Sequence, residues 1–195
     1  MLRGMVFVDH MNFNIAMQNL YISNKKQAPK LDYNTLFEGV VKQKPNIDYI
    51  KTFIFAPTPD DFLMNDENLK GYYKWVQGFK STKYIDVIEG RYIARQVNPT
   101  VPMDINDRNT YYKVEKGTDI NLSTHALVKA HFNTYDIAFV MSADTDYISV
   151  YKQLKNIGKL VILVTVKGQQ FNKIRPEVDD FIILDMDFFN KHIRK

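Results

Sequence analysis

The chain has 195 residues, of which 45% are apolar and 25% charged, and it contains no cysteine. That excludes disulfides, a thiolate nucleophile, zinc ribbons and iron–sulfur clusters, and a chain this long is expected to bury about 70% of its unfolded surface without such staples. Lys and Arg number 26 against 22 Asp and Glu, a formal charge of +4, which permits a polyanionic partner without demanding one.

In chain order, Met5 to Val8 reads as a buried strand, followed by the loop residues Asp9, His10, Met11 and Asn12. The segment from Asn19 to Lys30 reads as a surface excursion. Tyr33, Leu36, Phe37, Val40 and Val41 recur at helical spacing, with Asp32 placed to cap the helix and Pro45 to end it. Tyr49 to Phe55 reads as a strand stopped by Pro57 and Pro59. Leu69, Tyr72, Tyr73, Val76 and Phe79 trace a helix that closes near Gly78. Tyr84 to Arg91 alternates as an edge strand does, and residues 97–110 read as a loop. Ile120 to Ala130 is helical, Ile137 to Met141 a strand, and Ile148, Tyr151 and Leu154 one face of a helix ending at Gly158. Leu160 to Val166 and Phe181 to Leu184 are strands, and Phe188 to Ile193 a terminal helix.

Strands alternating with helices imply an α/β fold, layered around a largely parallel sheet and forming one domain over residues 1–195. The first residues carry no long apolar run of the kind a secretory signal needs. Leu160 to Val166 is far short of the roughly 20 apolar residues of a membrane helix. A soluble, cytoplasmic protein without membrane contact is expected, and a homodimer is allowed.

Ligands of open parallel sheets bind beyond the carboxyl ends of the strands. Asp9 and Asn12 follow the first strand; Ser142, Asp144 and Asp146 follow the strand ending at Met141; Glu115, Lys116 and Asp119 precede the helix at 120–130. Converging carboxylates repel unless a cation neutralises them. Oxygen ligands select hard ions, so Mg²⁺ or Mn²⁺ is the expected cofactor, held by Asp9, Asp119, Asp144 and Asp146. Such an ion lowers the pKa of an attacking water and stabilises charge on a scissile phosphate. Asn12 orients water or phosphate without adding charge. His10, Lys116, Ser142 and Lys167 are candidate substrate contacts. No dinucleotide-binding glycine motif or P-loop occurs.

The ordered set Val8-Asp9-His10-Met11-Asn12, Glu115-Lys116-Gly117-Thr118-Asp119 and Ser142-Ala143-Asp144-Thr145-Asp146-Tyr147 resembles the NYN domain, a branch of the PIN-like nuclease superfamily. Gly158 to Ile162 and Val178 to Ile182 are similar to it as well. The resemblance implies a three-layer α/β/α, Rossmann-like PIN fold, a divalent metal, and cleavage of RNA by Asp9, Asn12, Asp119, Asp144 and Asp146. His10, Ala143 and Thr145 stand where the family often has glycine. Two functions follow: a metal-dependent endoribonuclease acting on single-stranded RNA, or an RNA-binding regulatory module that keeps the acid pocket without turnover.

Overall fold

The computed structural model describes residues 1–194. β1 (Leu2–Asp9) leads through α1 (His10–Ser23) and α2 (Tyr33–Val41) to β2 (Ile47–Pro59). After α3 (Glu67–Gln77) come β3 (Ile85–Gln96) and its hairpin partner β4 (Tyr111–Lys116). The second half runs α4 (Thr118–His131), β5 (Ile137–Met141), α5 (Ile148–Asn156), β6 (Leu160–Val166), β7 (Asp180–Leu184) and α6 (Met186–Asn190).

The seven strands form one sheet in the order β4-β3-β2-β1-β5-β6-β7, and only β3 and β4 pair antiparallel. β1 therefore lies between β2 and β5, and the chain leaves it in opposite directions in its two halves. The carboxyl ends of β1 and β5 form the crevice where such sheets take ligands.

Helices cover both faces. Met5 and Phe7 pack with Phe53, Phe55 and Val140 against α4 and α5. Val6 and Val8 alternate to the other face and pack with Ile54 and Met141 against α1, α2 and α6. Burial on both sides explains why β1, β5 and β6 are apolar without alternation.

Four readings from the sequence change. First, β2 does not stop at Pro57 but runs through Pro59. Thr52 and Asp60 donate toward β3, so even-numbered residues face β3 and the prolines face β1. β1 has ended there, since Asp9 pairs with Phe55, and the missing proline N–H groups leave no rung unmade. Second, His10 to Asn12 and part of the supposed excursion are α1, which buries Phe13, Ala16, Met17, Leu20 and Tyr21 at helical spacing. Third, β3 continues five residues past Arg91, and β4 pairs with that extension. Fourth, the last helix lies earlier, at Met186–Asn190.

Candidate active site

Asp9 ends β1 and caps α1. Its Oδ1 accepts the Asn12 N–H at 3.1 Å. Its Oδ2 accepts from the Ser142 hydroxyl at 3.1 Å and lies 3.5 Å from the Tyr147 hydroxyl. Tyr147 in turn donates to Asp119 at 2.7 Å, so one phenol spans two carboxylates brought from β1 and α4. The Asp144 N–H donates to Ser142 Oγ at 3.2 Å, which ties the turn after β5 to Asp9. Asn12 Oδ1 accepts from the Ala143 N–H at 3.2 Å and from Gln169 Nε2 at 2.9 Å. Gln169 Oε1 accepts the Val166 N–H at 2.8 Å. Asn12 thus fastens the loops after β5 and β6 to the start of α1.

Asp119 reaches this cluster because of a glycine pair. Gly117, at φ +84°, turns β4 into α4 in a conformation that a side chain would strain. Gly90 on β3 lets the first turn of α4 press against the sheet. A Cβ there would stand 2.2 Å from Thr118 Oγ1 and 3.0 Å from two backbone atoms.

Asp9 is only 7% exposed. Burial pushes its carboxyl up to about 6, against the lowering effect of the Asn12 and Ser142 hydrogen bonds, and the charges of Glu115 and Asp119 push the same way as burial. Burial, followed by the charge of Asp9 and the bond to Asp119, holds the Tyr147 phenol far above its ordinary range. The Tyr151 hydroxyl, one turn along, is buried with no hydrogen-bond partner. After burial, the charges of Asp144 and Asp9 raise it most.

Oxygen donors alone, beside an orphaned buried hydroxyl, fit a hydrated hard cation held by one or two carboxylates. The sequence assigns the ion to Asp9, Asp119, Asp144 and Asp146 together. Among the described residues no three His, Asp or Glu side chains gather into a metal-binding group. Asp146 is exposed, and Asp144 Oδ1 accepts the Asp146 N–H at 2.9 Å as the cap of a short turn. The Tyr147 hydroxyl occupies the junction of the two acids that do meet.

Lys116 is exposed at the end of β4, next to Glu115. His10, expected at the substrate, is fully buried. Its ring nitrogens lie 2.8 Å from the Tyr72 hydroxyl and 3.1 Å from that of Tyr33, so no face of it meets a phosphate. Lys167 is exposed but lines a separate hollow with Leu20, Asp185 and Asp187. The sequence reading missed the roles of Tyr147, Tyr151 and Gln169. The i, i+4 spacing of the two tyrosines after Asp144 carried a signal for the first two; nothing local marked Gln169.

No helix among the described residues is long and apolar enough to cross a membrane. A family model described as the NYN domain matches residues 3–185. No curated protein matches the chain. Among solved structures, a protein of unknown function from Vibrio parahaemolyticus aligns over 96% of this chain and 95% of its own, at 15% identity and a TM-score of 0.54. That likeness concerns the fold alone. A NAD-dependent persulfide reductase from A. fulgidus aligns over 92% of this chain and 39% of its own, at 9% identity and a TM-score of only 0.27.

Proposed function

The chain belongs to the NYN family, a PIN-like nuclease family, and on that premise we propose that it is a metal-dependent endoribonuclease whose centre is Asp9 and Asp119. The observation that carries this reading is the buried Asp9 carboxylate at the sheet's switch point, aimed with Asp119 at one phenol. Burying a carboxylate beside two other acids is unfavourable, and a core position would be filled more stably by an apolar residue. A cation offsets that cost, and Asp9 and Asp119 are the residues that would hold it.

Mg²⁺ or Mn²⁺, when bound, supplies a water of lowered pKa and neutralises charge on the scissile phosphate. The chain's own residues do the rest. Ser142 and Tyr147 fix the two carboxylates by hydrogen bonds, so that neither must be reoriented when RNA arrives. Asn12 holds the loop that carries Ala143 and Asp144. Lys116 brings positive charge to the rim, next to Glu115, where the sugar–phosphate chain would approach.

The test is incubation of end-labelled single-stranded RNA with purified protein, with Mn²⁺, with Mg²⁺ and with chelator. Internal cleavage that needs the metal and falls by orders of magnitude in Asp9→Asn and Asp119→Asn is expected. Intact RNA in every lane, with RNA still bound, would replace this reading by that of a non-catalytic RNA-binding module.

A further inference from the structure

Beside the acids, on the other side of the sheet's carboxyl edge, α1 and α3 enclose a hollow of about 400 Å³. Trp75 and Tyr72 wall it on the α3 side, and Met17 on the α1 side. Lys30 and Arg194 line its rim and are its only charged lining residues among the described ones. Trp75 is 38% exposed although it is the largest side-chain type in the chain. Its indole packs among His10, Tyr33, Tyr72 and Phe79, with ring centroids 5.1 to 6.1 Å away. Those neighbours fix its plane without covering it.

We propose that this hollow is a nucleobase subsite for single-stranded RNA, in which Trp75 stacks on a base and Lys30 and Arg194 take the adjoining phosphate. The inference rests on the RNA reading of the neighbouring acids and adds to it where the strand runs.

Three observations support that occupant. The chemistry is that of single-strand binders, an aromatic platform with cations along the backbone path and, among the described residues, no carboxylate in the lining. Asn14 and Gln18, one turn apart on α1, line the same hollow and supply amides suited to a base edge. The hollow and the acids meet at the start of α1. His10, whose ring lies 5.2 Å from that of Trp75, is the residue after Asp9. Tyr72 lines the hollow and is close enough to Asp9 and Glu115 for their charges to push its phenol up, after burial. A strand crossing the edge of the sheet at Tyr72 would pass from the acids to the indole.

Trp75 is the chain's one tryptophan, so its fluorescence reports on the subsite alone. The experiment titrates the wild-type chain with a short end-labelled oligoadenylate in Ca²⁺ buffer, reading Trp75 emission and label anisotropy together. Saturable quenching with the same midpoint as the anisotropy is expected. Trp75→Ala, read by anisotropy, should weaken binding about tenfold or more, the scale of one lost base stack. Lys30→Glu, at an exposed position, should do likewise and keeps the test decisive should Trp75→Ala fail to fold. Binding with unchanged emission, and with an unchanged midpoint in Lys30→Glu, overturns the subsite while leaving the nuclease reading intact. No RNA binding at all overturns both. Quenching without any RNA cleavage in Mn²⁺ supports the subsite and removes the nuclease.

Discussion

Asp9 and His10 are neighbours in the chain, yet they serve opposite faces of the sheet. The Asp9 carboxylate turns toward Ser142 and Tyr147 at the mouth of the α4 and α5 layer. The His10 ring turns into the aromatic cluster of Tyr33 and Tyr72 beneath α2 and α3. The alternation of β1 carries over into the first turn of α1, so one buried acid and one buried base sit back to back.

Their pH effects oppose each other. Burial raises Asp9 from 3.8 to about 6, so the folded state holds its proton more tightly than the unfolded chain. The stability this contributes is present below about pH 4 and is lost as pH rises through 6. Burial lowers His10 from 6.5 to about 3, so its contribution is present above 6.5 and is lost as pH falls toward 3. Between about pH 4 and 6 the wild type should therefore change little from this pair. Asp9→Asn should unmask the His10 trend: its stability should climb with pH across that window and exceed the wild type at pH 7 by roughly 1–3 kcal/mol. Urea unfolding across pH decides it, and a variant curve parallel to the wild type would remove the pairing.

Tyr147→Phe should separate folding from chemistry. The phenol ring is buried, but its hydroxyl is the one group that touches both Asp9 and Asp119. Losing it removes the donor to Asp119 and frees that carboxylate to move relative to Asp9, an effect of about 1–3 kcal/mol on a hydrogen bond to a charged group. RNA cleavage in Mn²⁺ should drop at least tenfold while the melt stays a single cooperative transition, lowered by roughly 2–12 °C. A variant with wild-type turnover would show that the phenol does not organise the acids.

Gly90 should tolerate no side chain. A Cβ there meets Thr118 Oγ1 at 2.2 Å and backbone atoms at 3.0 Å, so α4 must shift away from β3. Gly90→Ala should cost about 1–3 kcal/mol, the range for overpacking. Because the Thr118 hydroxyl is buried without a partner, Thr118→Ala alone should be close to neutral, and in the Gly90→Ala background it should restore part of the loss. Thermal melts of the two single variants and the double variant test this, and strict additivity would sink it.

How much of this was legible in the sequence follows from how local each signal was. Asp32, Ile137 to Met141 and Leu160 to Val166 are set by cap chemistry and continuous apolar runs, and they fall where the pattern puts them. Pro57 and Pro59 misled because whether a proline breaks a strand depends on which neighbour its nitrogen faces, a matter of register. β4 was missed because an edge strand with mostly exposed residues has no apolar run to show. Asp9, Asn12 and Asp119 stood out as candidate site residues, but the groups that bind them together, Tyr147 and Gln169, act from 28 and 157 residues away along the chain. His10 beside Asp9 looked like a loop residue because nothing local announces that a strand's alternation continues into a helix.

Asn12 offers a test that charge and geometry answer differently. Its Oδ1 accepts two hydrogen bonds, from the Ala143 N–H and from Gln169 Nε2, and so holds the loops after β5 and β6 over the acids. Asn12→Ala loses both bonds and leaves the Ala143 amide to water, which should cost about 1–2 kcal/mol of stability. It should also lower cleavage by loosening the turn that carries Asp144. Asn12→Asp keeps an acceptor in the same place, so the loops should stay fastened and the melting temperature should be retained. It also adds a negative charge three residues from a buried carboxylate that is already reluctant to ionise, which should raise Asp9 further. Cleavage by Asn12→Asp should consequently begin at a higher pH than in the wild type, whereas Asn12→Ala should lose rate across the whole pH range. A pH–rate profile of the three proteins under one Mn²⁺ concentration distinguishes these outcomes. Identical profiles for Asn12→Asp and the wild type would show that Asn12 acts only as a tether and that its neutrality is of no consequence to the acids beside it.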